Sequence, residues 1–171
     1  MSLPRYTFEL ARSPQHLRAY FRLRHSIFCH EQGLFGGSDI DETDAIAYPI
    51  VAIEHDFLAG QHIVGIVRIY EADSRLWYGG RLGVHPSYRR VGRIGKGLIQ
   101  KAVTTANAWG CDRFLATVQI QNVRFFRRLH WNSLEELQIC DRTHHLMEAD
   151  LSFYPPNGEH RPALQPVQQV S

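Results

Sequence analysis

Apolar residues recur along this chain with two different periods, and the switches between them mark out its elements. Residues 4–12 alternate, with Tyr6, Phe8 and Leu10 on one face of a predicted strand. Ser13-Pro14 then has the form of an N-cap followed by a first-turn proline, and Leu17, Tyr20, Phe21, Leu23, Ile27 and Phe28 continue at helical spacing. β-branched and aromatic runs follow at Pro49–Glu54, Gly60–Tyr70 and Leu76–Val84, separated by turn-like His55-Asp56 and Glu71-Ala-Asp-Ser74, which predicts a β-meander. Leu98, Ile99, Ala102, Val103, Ala106 and Trp109 return to the 3.6 period, with Gly110 placed as a C-cap. Arg113–Gln119 reads as a buried strand, parallel to its predecessor because a whole helix separates the two, so the unit is a right-handed crossover. A short helix through Phe125 and Phe126 and an antiparallel pair at 134–140 and 144–154 close the pattern. From Pro155 the chain turns polar and Pro/Gln-rich, the composition of a tail. The division expected is one domain over residues 1–154 and a tail over 155–171.

Composition narrows the function. With 171 residues, 44% of them hydrophobic and 11% aromatic, the chain can bury a real core. A net charge of +2 is too small for nonspecific nucleic-acid binding. No apolar run approaches the ~18 residues of a membrane span, and Met1-Ser-Leu-Pro-Arg lacks the apolar core of a signal peptide, so a cytoplasmic protein with no membrane partner is expected. Cys29, Cys111 and Cys140 are odd in number and scattered, which suits reduced thiols. His144 and His145 adjoin on a predicted strand, face opposite sides and cannot share a metal; none is expected.

The chemistry concentrates between Arg81 and Leu98, where a strand runs through a cationic, glycine-rich turn into a helix. Unpaired amides and the macrodipole at a helix N-terminus favour an anion by roughly 0.3–1 kcal/mol. Arg89, Arg90, Arg93 and Lys96 add four positive charges within eight residues, and Gly92, Gly95 and Gly97 lack the Cβ that would hold a ligand off the backbone. A phosphate-bearing cofactor fits such a turn. A Walker loop does not, because Gly95-Lys96 has no glycine five residues earlier and Gly97 supplies no hydroxyl for magnesium. A dinucleotide fingerprint also fails, since Gln100 stands where its third glycine would be. A solvated basic loop capping a surface helix is the alternative.

Val84, Pro86, Tyr88, Arg89 and Gly92 resemble the Val-x-Pro-x-Tyr-Arg-x-x-Gly-x-Gly/Ala turn of the GNAT N-acetyltransferases. Ile94 stands where that motif has Gly or Ala and Gly95 comes one residue late, a shift that a one-residue insertion reconciles. Asn122, Phe125, Phe126, Leu129 and Trp131 resemble the family's second signature, Asn-x-x-x-x-x-Phe-Tyr-x-x-x-Gly-Phe, with Phe126 where many members have tyrosine and His130 at the usual glycine. Leu23-Arg-His-Ser-Ile-Phe-Cys-His-Glu-Gln32, followed by the acidic Asp39, Asp41, Glu42 and Asp44, is similar to the acceptor-side segment of a subset of these enzymes. The whole pattern looks most like a bacterial branch often associated with nitrogen-starvation gene clusters.

The resemblance implies the GNAT acyl-CoA N-acyltransferase fold, an α/β (α+β) arrangement with a mixed central sheet of about six or seven strands flanked by helices. It further implies acetyl-CoA as acyl donor and a small-molecule primary amine as acceptor, and leaves a homodimer open. Pantetheine would wedge between two splayed strands against Leu82, Gly83 and Val84. The diphosphate would lie on Arg89, Arg90, Val91, Gly92, Arg93, Ile94, Gly95 and Lys96, with Asn122, Phe125 and Phe126 completing the cofactor site. An acceptor ammonium of pKa about 10 must lose a proton, for which Glu31 is the leading candidate base and Tyr78 and His85 are others. His130 is the candidate acid in place of the missing tyrosine. The acidic stretch is either a solvated loop or a patch for a cationic acceptor. Two alternatives stand beside this reading. One is a longer acyl donor, as in the acyl-homoserine-lactone synthases, which share an early Arg-x-x-x-Phe segment. The other is a CoA-binding regulatory module, which Phe126 keeps open.

Overall fold

The computed structural model describes residues 5–164. Seven strands form one mixed sheet in the order β1-β2-β3-β4-β5-β7-β6. They are β1 (Arg5–Leu10), β2 (Ala47–Asp56), β3 (Gly60–Asp73), β4 (Leu76–Val84), β5 (Arg113–Gln119), β6 (Trp131–Ile139) and β7 (Arg142–Ala149). Helices α1 (Pro14–His25), α2 (Gly92–Ala108) and α3 (Ile120–Arg128) flank it. All neighbouring pairs are antiparallel except β4 and β5, which the crossover through α2 makes parallel.

Both faces of the sheet are covered, which explains why its central strands carry unbroken apolar runs. Along β2, Val51 and Ile53 pack with Tyr20, Leu23 and Ile27 from the α1 side. Their alternates Ile50 and Ala52 pack with Ile94, Leu98 and Ala102 of α2. Full burial of one such side chain stabilises the fold by about 1.5–3 kcal/mol. The predicted N-cap is present: the Ser13 hydroxyl accepts from the His16 N–H at 3.1 Å, with Pro14 at the first helical position. Beyond His25 the helix widens into a π-helical segment, Ser26–Glu31, in which Gln32 N–H reaches back five residues to the Ile27 carbonyl at 2.9 Å.

Three sequence expectations change. The glycine-rich stretch is not a turn ahead of the helix but the first turns of α2, which starts at Gly92 and carries Ile94 fully buried in the core. Gly97 is there for packing, because a Cβ on it would lie 2.1 Å from the Phe8 ring. The closing pair begins at Trp131, earlier than expected, because α3 ends at Arg128 and His130 turns the chain with φ 68°. The start of the expected tail is strapped to the body. Asn157 Nδ2 donates to Thr105 Oγ1 at 2.8 Å, the Trp109 indole donates to the Glu159 carbonyl at 3.0 Å, and Arg161 lies 4.9 Å from the centre of the Trp77 ring. Residues 165–171 of that tail lie outside the described residues.

Candidate active site

The parallel ladder between β4 and β5 stops at Gly79 and Ala116, although both strands continue. A bulge at Arg81-Leu82 helps to part them. Between the pairs Ile66–Gly83 and Arg68–Gly80, two residues of β4 face one of β3, and Arg81 takes a left-handed φ of 51°. A cavity of about 470 Å³ occupies the gap and reaches both sides of the sheet. On the α2 side its wall is apolar, from Ile99, Val103, Phe114, Phe126 and Trp131. On the α1 side it is formed by Phe28, Gln32 and Phe35 of the π-helical segment and following loop, with Tyr78, Arg81, Gln119 and His144 from the strands.

An ion network backs that wall, with Arg68 and Arg81 themselves in the cavity lining. Arg24, fully buried, donates from Nε to Asp39 at 2.6 Å and from Nη1 to Asp44 at 2.7 Å. Arg68 Nη1 donates to Asp41 at 2.7 Å and to Asp44 at 2.9 Å. Arg81 donates from Nε to Asp39 at 3.1 Å, and its guanidinium stacks 4.4 Å from the centre of the Phe35 ring. Burial alone would raise the Asp44 pKa, but hydrogen bonding and charge from Arg24 and Arg68 leave it below the usual carboxylate value. Three arginines neutralise three aspartates. The structure thus corrects the reading of the acidic stretch in part: Asp39 and Asp44 are buried in ion pairs and Asp41, 40% exposed, is paired as well, so none of the three is a free patch for a cationic acceptor, whereas Glu42 is exposed as a solvated loop residue would be. A signal for this network existed in the sequence, since Arg68 interrupts an apolar strand and an arginine there demands anionic partners.

The cationic turn is built differently. Pro86–Tyr88 forms one 3₁₀ turn, with His85 Nδ1 accepting from the Ser87 N–H at 3.1 Å, and then α2 begins. Ile94 N–H turns back to the Val91 carbonyl at 3.0 Å, and helix geometry leaves the Gly92 and Arg93 amides without intrahelical partners. Open space surrounds the missing Cβ of Gly92, whereas a Cβ on Gly95 would lie 3.7 Å from the Phe125 ring. Arg90, Arg93 and Lys96 are exposed, Arg93 resting 4.8 Å above the Tyr6 ring. Arg89 is engaged: it donates from both η nitrogens to the Glu31 carboxylate, at 2.7 Å for Nη2–Oε2, and from Nε to the Val84 carbonyl at 3.0 Å.

Several of the expected site residues fall into four groups. Arg90, Gly92, Arg93 and Lys96 share the exposed N-terminus of α2, and Leu82, Asn122 and Phe126 line the cavity. Gly83 and Ile94 are buried structural positions; a Cβ on Gly83 would meet Ile27 Cδ1 at 2.7 Å. Glu31 and His130 are not brought into the cavity wall. The hydrogen bonds from Arg89 hold the Glu31 carboxyl below its usual pKa, which makes it a poorer base. His130 stacks face to face on Phe153 at 3.6 Å, the structural role of a surface histidine at a helix end. Among the described residues, no group of three or more His, Cys, Asp or Glu side chains could hold a metal ion, and no helix is long and apolar enough to cross a membrane.

The model of the acetyltransferase (GNAT) family matches residues 11–131. This chain belongs to the GNAT acetyltransferase family. Solved GNAT structures share its fold. Escherichia coli ElaA superposes with a TM-score of 0.71 at 20% identity, covering 86% of this chain and 100% of that one. FeeM, an N-acyl amino acid synthase from uncultured soil microbes, gives 0.66 at 12% identity over 89% and 95% of the two chains. An aminoglycoside 6'-N-acetyltransferase complexed with coenzyme A gives 0.67 at 13% identity over 83% and 95%. Compared by sequence with curated proteins, the chain finds no match. At these identities the structural likeness speaks for the GNAT fold, and the seven-stranded mixed sheet meets the expected architecture.

Proposed function

We propose that this GNAT protein moves an acetyl group from acetyl-CoA to a primary amine of a small molecule. The observation that carries the reading is the gap between β4 and β5, whose cavity is lined on one side by Ile99, Ala102 and Val103 of α2, the helix that the cationic residues open. The residues present suit the donor. Gly92 and Arg93 would offer amides to a diphosphate, and Arg90, Arg93 and Lys96 would supply charge-assisted hydrogen bonds worth roughly 1.5–3 kcal/mol each. Beyond Gly79, β4 has no ladder to β5, so its backbone edge is free to hold an extended arm. Acetyl-CoA brings the activated thioester. Backbone N–H groups of the parted strand near Leu82 would stabilise negative charge developing on the thioester oxygen. The acceptor enters from the α1 side, where Phe28, Phe35 and Tyr78 give an aromatic wall and Gln32 and Gln119 give polar anchors.

A second reading has an observation of its own. The apolar lobe on the α2 side, bounded by Ile99, Val103 and Phe114, suits a donor with a longer acyl chain. The likeness to FeeM, named as an N-acyl amino acid synthase, points the same way. One experiment separates the possibilities. Purified protein is incubated with acetyl-CoA or octanoyl-CoA and a panel of amines, and free thiol is followed. Thiol release with acetyl-CoA that depends on an amine supports acetyl transfer. A tenfold preference for octanoyl-CoA favours the second reading, and binding without release on any acceptor favours a regulatory module.

A further inference from the structure

The acyl-transfer reading needs a group that removes a proton from the acceptor ammonium, and the cavity wall contains no carboxylate. Its titratable members are Arg68, Tyr70, Tyr78, Arg81, Cys140 and His144. The two arginines carry no lone pair for the purpose. Tyr70 is pushed up by burial, which keeps it a phenol.

We propose that His144 is the general base, an inference that rests on the acyl-transfer reading above. Three observations converge on it. The β5–β7 register sets His144 opposite Gln119, so both side chains project to the α1 face, where the acceptor would enter. Its Nδ1 lies 3.0 Å from the Arg142 carbonyl. A carbonyl can only accept, so that contact places a proton on Nδ1, and in the neutral ring the lone pair is then on Nε2. Among the described residues Nε2 has no hydrogen-bond partner, although the residue is only 9% exposed. The neighbouring His145 provides the contrast. It projects to the other face and is engaged there, with Nδ1 2.7 Å from Ser133 Oγ.

The step balances. His144 Nε2 takes one proton from R–NH₃⁺, directly or through a water, and becomes an imidazolium. The freed amine lone pair forms the new C–N bond at the thioester carbonyl, the C–S bond breaks, and the departing thiolate takes the second proton from nitrogen. Imidazolium then returns its proton to solvent. The charged and titratable groups that line the cavity with His144 are Tyr70 and Arg68 from β3, Tyr78 and Arg81 from β4, and Cys140 from the β6–β7 hairpin, the two arginines being held by aspartates. The π-helical segment contributes the neutral Gln32.

The test is His144→Asn, whose amide can still donate to the Arg142 carbonyl but has no basic nitrogen. Wild-type protein is first shown to release thiol with an amine. The variant is then expected to lose about 100-fold in kcat/KM, the size of a general-base contribution. Its coenzyme A dissociation constant should be unchanged, the acidic limb of its pH–rate profile should disappear, and added imidazole should restore activity. Wild-type kcat/KM in the variant, or a loss that imidazole does not relieve while the acidic limb persists, would overturn the role of His144 and leave the acyl-transfer reading standing. If the wild-type protein releases no thiol with any acceptor, both fall together.

Discussion

Two groups of cationic side chains lie in different surroundings, which give them opposite duties. Arg24, Arg68 and Arg81 stand on the α1 side, Arg68 and Arg81 in the cavity lining and Arg24 behind it, at most 15% exposed in their side chains and each held by aspartates at 2.6–3.3 Å. Arg90, Arg93 and Lys96 stand at the N-terminus of α2, exposed and without an anionic partner among the described residues. Guanidinium chemistry is the same in both places. What differs is whether the opposing charge belongs to the chain itself or must come from a ligand. A buried cation whose partners are built in fixes the loop over 33–45; an exposed cation with free amides beside it is poised for an anion. Arg89 lies between the two conditions, since Glu31 engages it but both remain half-exposed.

The largest effect expected from this contrast is on stability. Arg24→Met should lower the unfolding free energy by about 3–5 kcal/mol, because it leaves Asp39 and Asp44 buried with fewer compensating donors. Urea unfolding measures it, and a loss below about 1 kcal/mol would show that the network is dispensable. The network also sets an acid dependence. The folded-state pKa of Asp44 lies below its unfolded value of about 3.9, so its contribution is complete above that pH and is lost as pH falls through the folded value. Asp41 behaves alike, drawn down chiefly by its hydrogen bond from Arg68. Urea midpoints should therefore be level from pH 7 to about 5 and fall below about 4.

Next in size is cofactor affinity. Arg90→Ala combined with Arg93→Ala should raise the coenzyme A dissociation constant at least tenfold, about 1.4 kcal/mol, while unfolding changes by less than about 1 kcal/mol. Calorimetric titration reads the first and urea unfolding the second; the reverse pattern would erase the distinction between the two groups. Smallest is the intermediate case. Glu31→Gln frees Arg89 from a solvent-screened pair and should tighten coenzyme A by no more than about fivefold. Weaker binding in that variant would mean that Glu31 positions Arg89 for the ligand instead of competing with it.

The same contrast explains what could be read without coordinates. Strands, the Ser13 cap and the crossover rest on local periodicity and capping chemistry, and they stood almost where the pattern put them. The cationic stretch is visible because charge and glycine crowd into a few residues, but the packing roles of two of its glycines are not. Gly97 answers to Phe8 and Gly83 to Ile27, contacts between residues far apart in sequence that spacing does not encode. The acidic loop failed for the same reason, as its partners Arg24, Arg68 and Arg81 come from three separate elements. His144 was seen only as half of a non-ligating pair. Its orientation depends on the β5–β7 register, which no local pattern states.

The central claim is that the N-terminus of α2 receives the diphosphate of coenzyme A, and a crystal structure of the complex tests it most directly. The account predicts diphosphate oxygens within hydrogen-bond distance of the Gly92 and Arg93 amides, with the pantetheine arm running into the gap between β4 and β5. A coenzyme A molecule bound elsewhere, with that gap empty, would contradict it.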